Sequence, residues 1–137
     1  MTSSTHAPEL LVQTWFNTER PLLLSGLRGR IVVLAAFQVL CPNSISGGIP
    51  QARRIYETFE PKDVAVIGLH ATFEHHDAVS WAMLKAFIQE YRLKFPIALD
   101  EPNPASPISM AVKLRTSSGC VTARRNTVAP LMSCPVR

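Results

Sequence analysis

An α/β domain, built on a central mixed sheet flanked by helices, is the fold class that this chain of 137 residues predicts. Three observations carry that expectation. Two continuous apolar runs, IVVLAAF (31–37) and VAVIGLH (64–70), have the length and β-branched content of strands covered on both faces. A segment with helical spacing follows each run. The resulting order of strand, helix, strand, helix, strand is that of right-handed crossover units in one sheet.

The elements follow in order along the chain. Residues 9–16, ELLVQTWF, mix alternation with a short apolar run and read as a first strand or its approach. LLLSGLRGR (22–30) is a loop rich in turn formers (Ser25, Gly26, Gly29), and IVVLAAF leaves it as a strand. After Cys41, Pro42 suits a first helical position, where its missing N–H costs nothing. Gly47, Gly48 and Pro50 weaken the opening of this helix and are expected to kink it. Ala52, Ile55, Tyr56 and Phe59 then recur at helical spacing until Pro61 stops the element. After the 64–70 strand, Asp77 is the expected N-cap of a helix whose stripe is Trp81, Leu84, Ile88 and Tyr91. FPIALD (95–100) is a third strand, ending in the turn EPNPASP.

Residues 105–137 differ from what precedes them. They are rich in Ser, Thr, Arg and Pro, without clear periodicity, and no long strand is expected after Asp100. Charge divides at the same place. Residues 1–104 hold nine Lys/Arg against ten Asp/Glu, whereas 105–137 hold five basic residues and no acid. The formal net charge of +4 therefore belongs to the tail. Five charges without an interleaved aromatic are weak support for a nucleic-acid partner, and none is expected.

Bulk composition sets further bounds. At 47% apolar and 18% charged residues, one domain with its own core is expected. MTSSTHAPEL lacks a basic region followed by an apolar one, and the longest apolar run, Ile31 to Phe37, falls short of the roughly 20 residues of a membrane span. Cytoplasmic location and no membrane partner are the expectations. Three cysteines, Cys41, Cys120 and Cys134, make neither a disulfide framework nor a zinc-ligand spacing. His70, His75 and His76 lie in LHATFEHHDA beside Glu74 and Asp77. Adjacent histidines suit one metal poorly, and a solvated loop leading into the next helix is the expected reading. No metal and no cofactor are assigned.

Cys41 is the residue with chemistry to offer. A thiol between a strand and a helix faces the unpaired N–H groups and the positive end of the helix dipole, which favour the thiolate. Its pKa is expected below the roughly 8.5 of an ordinary cysteine. Cys120 and Cys134 have no such setting and are read as incidental.

LSGLRGRIVVLAAFQVLCPNS (24–44) resembles the opening of thioredoxin-like proteins, in the redoxin branch that includes peroxiredoxins and thiol reductases of cytochrome maturation. Leu27, Arg28, Gly29, Arg30, the 31–37 strand, Cys41, Pro42 and Pro50 find places in that pattern, and the likeness continues to about residue 100. It implies a thioredoxin-like domain over 1–104; the basic residues 105–137, without periodicity or acid, are expected to be a divergent or poorly ordered C-terminal segment that leaves the fold's end incomplete. It also implies a thiol-dependent oxidoreductase or antioxidant protein, with protein or low-molecular-weight thiols and disulfides as partners.

Two departures bear on the chemistry. Leu40 stands where the family keeps a tryptophan, and Ser44 stands where it keeps the resolving cysteine. By resemblance Cys41 is the nucleophile and Ser44 a hydroxyl able to donate to its thiolate, in a monothiol mechanism through mixed disulfides. The competing reading is a non-catalytic thioredoxin-like binding module that has lost its redox pair. A peroxidase pattern would need Thr or Ser at 38 and Pro at 34, where this chain has Gln38 and Leu34. The family's cis-proline segment falls in register at LRTSS (114–118), which has Ser117 and Ser118 and no proline, and the apolar strand that should follow is expected to be missing.

Overall fold

The computed structural model describes residues 9–71 and 77–100 in full, together with the strand pairing of 120–124 and 127–131. Six strands form one sheet: β1 Val12–Phe16, β2 Ile31–Phe37, β3 Val64–His70, β4 Ile97–Asp100, β5 Cys120–Arg124 and β6 Thr127–Leu131. Two α-helices, α1 Ile49–Thr58 and α2 Trp81–Glu90, connect β2 to β3 and β3 to β4. The sheet order is β1-β4-β3-β2-β5-β6. β2, β3 and β4 run parallel, whereas β1, β5 and β6 pair antiparallel with their neighbours. This is the mixed α/β sheet expected.

The two apolar runs pair with each other along their full length, from Ile31 with Val64 to Phe37 with His70. Alternate side chains leave a strand on opposite faces, and the core divides accordingly. Val33, Ala35 and Phe37 pack with Ile49 and Ala52 of α1 and with Leu84 and Ile88 of α2. Val32 and Ile67 pack on the other face with Leu27, against the partly buried Leu10, Trp15, Leu22 and Leu24. The segment before β2 thus covers the sheet face that α1 and α2 leave.

Gly68 is the position where the helix-side core closes most tightly. A Cβ there would lie 2.9 Å from Phe95 Cε2, 3.0 Å from Ile97 Cγ1 and 3.3 Å from Phe37 Cε1. Glycine in mid-strand marks such a close approach. Asn17 closes the end of β1 in the left-handed region (φ 59°), its amide donating to Leu93 O at 2.7 Å and Phe95 O at 3.1 Å. Asparagine tolerates that conformation because its short polar side chain bonds locally.

Three expectations are corrected. The sheet continues past Asp100: β5 and β6 add two strands, where no long strand was expected. Each is five residues long, and Val121, Thr122, Thr127 and Val128 supply β-branched character that a Ser/Thr/Arg-rich composition hides. The N-cap of α2 is Ser80, whose hydroxyl accepts from Met83 N at 3.1 Å, and not Asp77, which lies in a turn before the extended approach to the helix. Of the α2 stripe, Leu84 and Ile88 are buried while Trp81 and Tyr91 are exposed. Both ends find partners at the surface: Phe87 stacks on Tyr91 at 4.3 Å, and Lys85 Nζ sits 5.1 Å from the Trp81 ring.

The glycine-rich opening of the first helix adopts a specific form. Ser44–Gly48 is a π-helical turn, closed by Ile49 N–H on Ser44 O, and α1 continues from it. Wide turns of this kind bend a helix and recur at functional sites.

Candidate active site

The site is built on the junction of β2 with this helix. β2 ends at Phe37, buried beneath α1 and α2, and five residues later the chain becomes helical at Pro42. Cys41 lies between them, partly exposed and bearing a thiol outside any disulfide. Leu40, immediately before it in the chain, is 42% exposed.

Hydrogen bonds define the turn from both sides. Cys41 N donates to Gln38 O at 3.1 Å, and Cys41 O accepts from Ile45 N at 3.2 Å, which opens the helix. Ser44, only 6% exposed, turns its Oγ inward to accept from Gln38 N at 3.3 Å. The hydroxyl proton is not used by that bond. On the opposite flank, Ala71 N donates to Phe37 O at 3.1 Å, and Val39 N donates to His70 Nε2 at 3.4 Å. The consecutive N–H groups of Gln38 and Val39, just past the end of β2, are both received by side chains.

His70 is the residue that sequence reasoning missed. The sequence places it at the end of the 64–70 strand but groups it with a solvated histidine-rich loop; the strand end holds, and the side chain is fully buried. Its ring meets Phe37 edge-on, with centroids 5.4 Å apart. Burial pushes its pKa down to about 4, so it is a neutral imidazole near neutral pH. Because Nε2 accepts, the proton belongs on Nδ1, which has no hydrogen-bond partner among the described residues. A histidine that ends a continuous apolar run, in register with Phe37, is the signal that could have marked it.

Cys41 and Ser44, the two predicted site residues, thus lie three residues apart at the head of the helix, Cys41 partly exposed and Ser44 buried. Gln38 is buried and Leu34 packs on the sheet face opposite α1 and α2. Glu74, His75, His76, Cys134 and the 114–118 segment lie outside the described residues. A strand does follow that segment directly: β5 begins at Cys120 and pairs antiparallel with β2, Ala35 opposite Cys120. Among the described residues no helix is long and apolar enough to cross a membrane.

A thiol at the head of a helix, on the inner strand of a mixed α/β sheet, defines the thioredoxin class of architecture. A thioredoxin-like superfamily protein of known structure is 40% identical over 95% of this chain and 87% of its own, with a TM-score of 0.84. A thiol-disulfide isomerase from Corynebacterium glutamicum is 38% identical over 91% of this chain and 83% of its own, with a TM-score of 0.78. A secreted disulfide oxidoreductase from Mycobacterium tuberculosis, 16% identical over 93% and 83% of the two chains, shares the fold with a TM-score of 0.65. No protein-family model and no curated protein matches. The chain belongs to the thioredoxin-like superfamily, and a thiol-disulfide isomerase is among its homologues.

Proposed function

We propose that this protein is a thiol–disulfide oxidoreductase that works through Cys41 alone. The observation that carries this reading is the site at the β2–helix junction: the thiol is partly exposed, and Ser44 occupies the following turn with its oxygen bound to Gln38 N. The Cys41 thiolate attacks one sulfur of a disulfide, forming a mixed disulfide and releasing the other sulfur as a thiolate. A second thiol, from a protein or a small molecule such as glutathione, then attacks the mixed disulfide and returns Cys41 to its reduced form. No internal cysteine at position 44 competes for that step, so the mixed disulfide persists until the external thiol arrives. Gln38, in place of a hydroxyl residue, argues against peroxide as the oxidant. The proposed location is the cytoplasm, where such thiols are kept reduced.

The test is the pH dependence of Cys41 alkylation by iodoacetamide, read on the Cys41 peptide by mass spectrometry. Titration clearly below roughly 8.5 supports an activated thiol, and titration at or above it overturns the reading. Incubation with oxidised glutathione should add one glutathione to Cys41 and none to a Cys41→Ser variant.

One observation favours a second reading, a binding module without turnover: the residue in the resolving position is a buried, hydrogen-bonded serine. Ser44→Cys separates the two. Gain of insulin-disulfide reduction shows a competent scaffold, and continued inactivity together with an ordinary Cys41 titration supports the binding module.

A further inference from the structure

The turn that carries Cys41 is held at an unusual point. Two consecutive backbone N–H groups just past the end of β2 are received by side chains, and a buried donor that is not received costs its desolvation. Ser44, on the helix side, receives Gln38 N–H. His70, from the end of β3, receives Val39 N–H. The imidazole is fully buried and packed edge-on against Phe37, so it has little freedom to turn away. The next β3-side bond, Ala71 N to Phe37 O, fixes the backbone on both sides of the ring.

We propose that His70 is a positioning residue for the Cys41 thiol, holding the Val39–Cys41 turn in the geometry that presents the sulfur at the head of the helix. This rests on the reading of Cys41 as the nucleophile. The imidazole acts through the Val39 N–H, two residues before the thiol. Only the neutral ring with its proton on Nδ1 can do so, because Nε2 must keep its lone pair. Losing the acceptor frees Val39 N–H to seek water, which loosens the turn and carries Cys41 away from the helix N–H groups that favour its thiolate.

The experiment uses the full chain and two variants, His70→Leu and His70→Gln. Leucine fills the space without an acceptor, while the glutamine oxygen can still receive Val39 N–H. The first readout is the alkylation profile of Cys41 against pH. His70→Leu should raise the thiol pKa and slow alkylation near neutral pH by about threefold per unit, a tenfold loss of thiolate offset by the greater nucleophilicity of a more basic sulfur. His70→Gln should restore the wild-type profile. The second readout is hydrogen exchange of the Val39 amide, faster in His70→Leu and protected in His70→Gln. A folded His70→Leu protein with unchanged profile and unchanged exchange overturns the proposal. Should that variant fail to fold, the ring nitrogen shifts of wild-type His70 decide: a proton on Nδ1 supports the proposal, and a proton on Nε2 overturns it. If wild-type Cys41 alkylates as an ordinary cysteine, the oxidoreductase reading fails by itself. The Val39 exchange then still settles whether His70 holds the turn.

Discussion

Burial of His70 makes the fold sensitive to acid in a defined window. The imidazole titrates near 6.5 in the unfolded chain and is pushed down to about 4 in the folded one. Between those values the unfolded state binds the extra proton, so stability rises with pH. The contribution is fully present above 6.5, declines as pH falls through that value, and is exhausted below about 4. At about 1.36 kcal/mol per unit, the whole shift corresponds to roughly 3 kcal/mol, of which about 2 kcal/mol is lost between pH 7 and pH 5. Urea unfolding at those two pH values, compared between wild type and His70→Gln, isolates the effect. Carboxylates and the other histidines titrate in both proteins and cancel. Wild type should lose about 2 kcal/mol more than the variant on going to the lower pH. Equal losses in the two proteins would refute the argument, because a histidine that unfolds with no change in proton affinity is not buried as the structure has it.

Two further substitutions test the packing that surrounds the site. Gly68→Ala pushes a methyl group against Phe95, Ile97 and Phe37, all buried, and should cost about 1–3 kcal/mol in urea unfolding, with slower formation of the β3–β4 pairing. Ser80→Ala removes the α2 cap and should cost about 1 kcal/mol, whereas Asp77→Ala should change stability by less than about 0.5 kcal/mol.

How far the sequence is legible depends on how local each signal is. β2 and β3 are readable because burial on both faces writes itself as seven consecutive apolar or small positions, interrupted only at His70. Cys41 is readable for the same reason, since its place follows from where that run stops. His70 carries two opposed local marks: it ends an apolar run, but it also opens a charged, histidine-rich loop, and only strand register against Phe37 decides for burial. β5 is hidden because its reason for being a strand is the edge of β2, far away in sequence, and not its own composition. The α2 cap shows a smaller failure of the same kind. Asp77 and Ser80 are both good caps, and the choice depends on where the chain turns from extended to helical, which is at Ser80. Gly47 and Gly48 foretold a disturbed helix, but not that the disturbance would be a wide turn closed by Ser44 O.

The position of β5 has a consequence for how the protein is made. The strand that leads to the thiol is completed on one edge by β3, which follows it closely in the chain, and on the other by residues synthesised much later, Val32 pairing with Ala123 and Ala35 with Cys120. During vectorial synthesis β2 therefore presents an open, apolar edge from the moment β3 joins it until β5 has left the ribosome. An unpaired edge of that composition invites pairing with another chain. The nascent protein is most prone to aggregate in that interval, and premature termination between Asp100 and Cys120 should yield insoluble product even though every residue of the thiol-bearing turn has already been made.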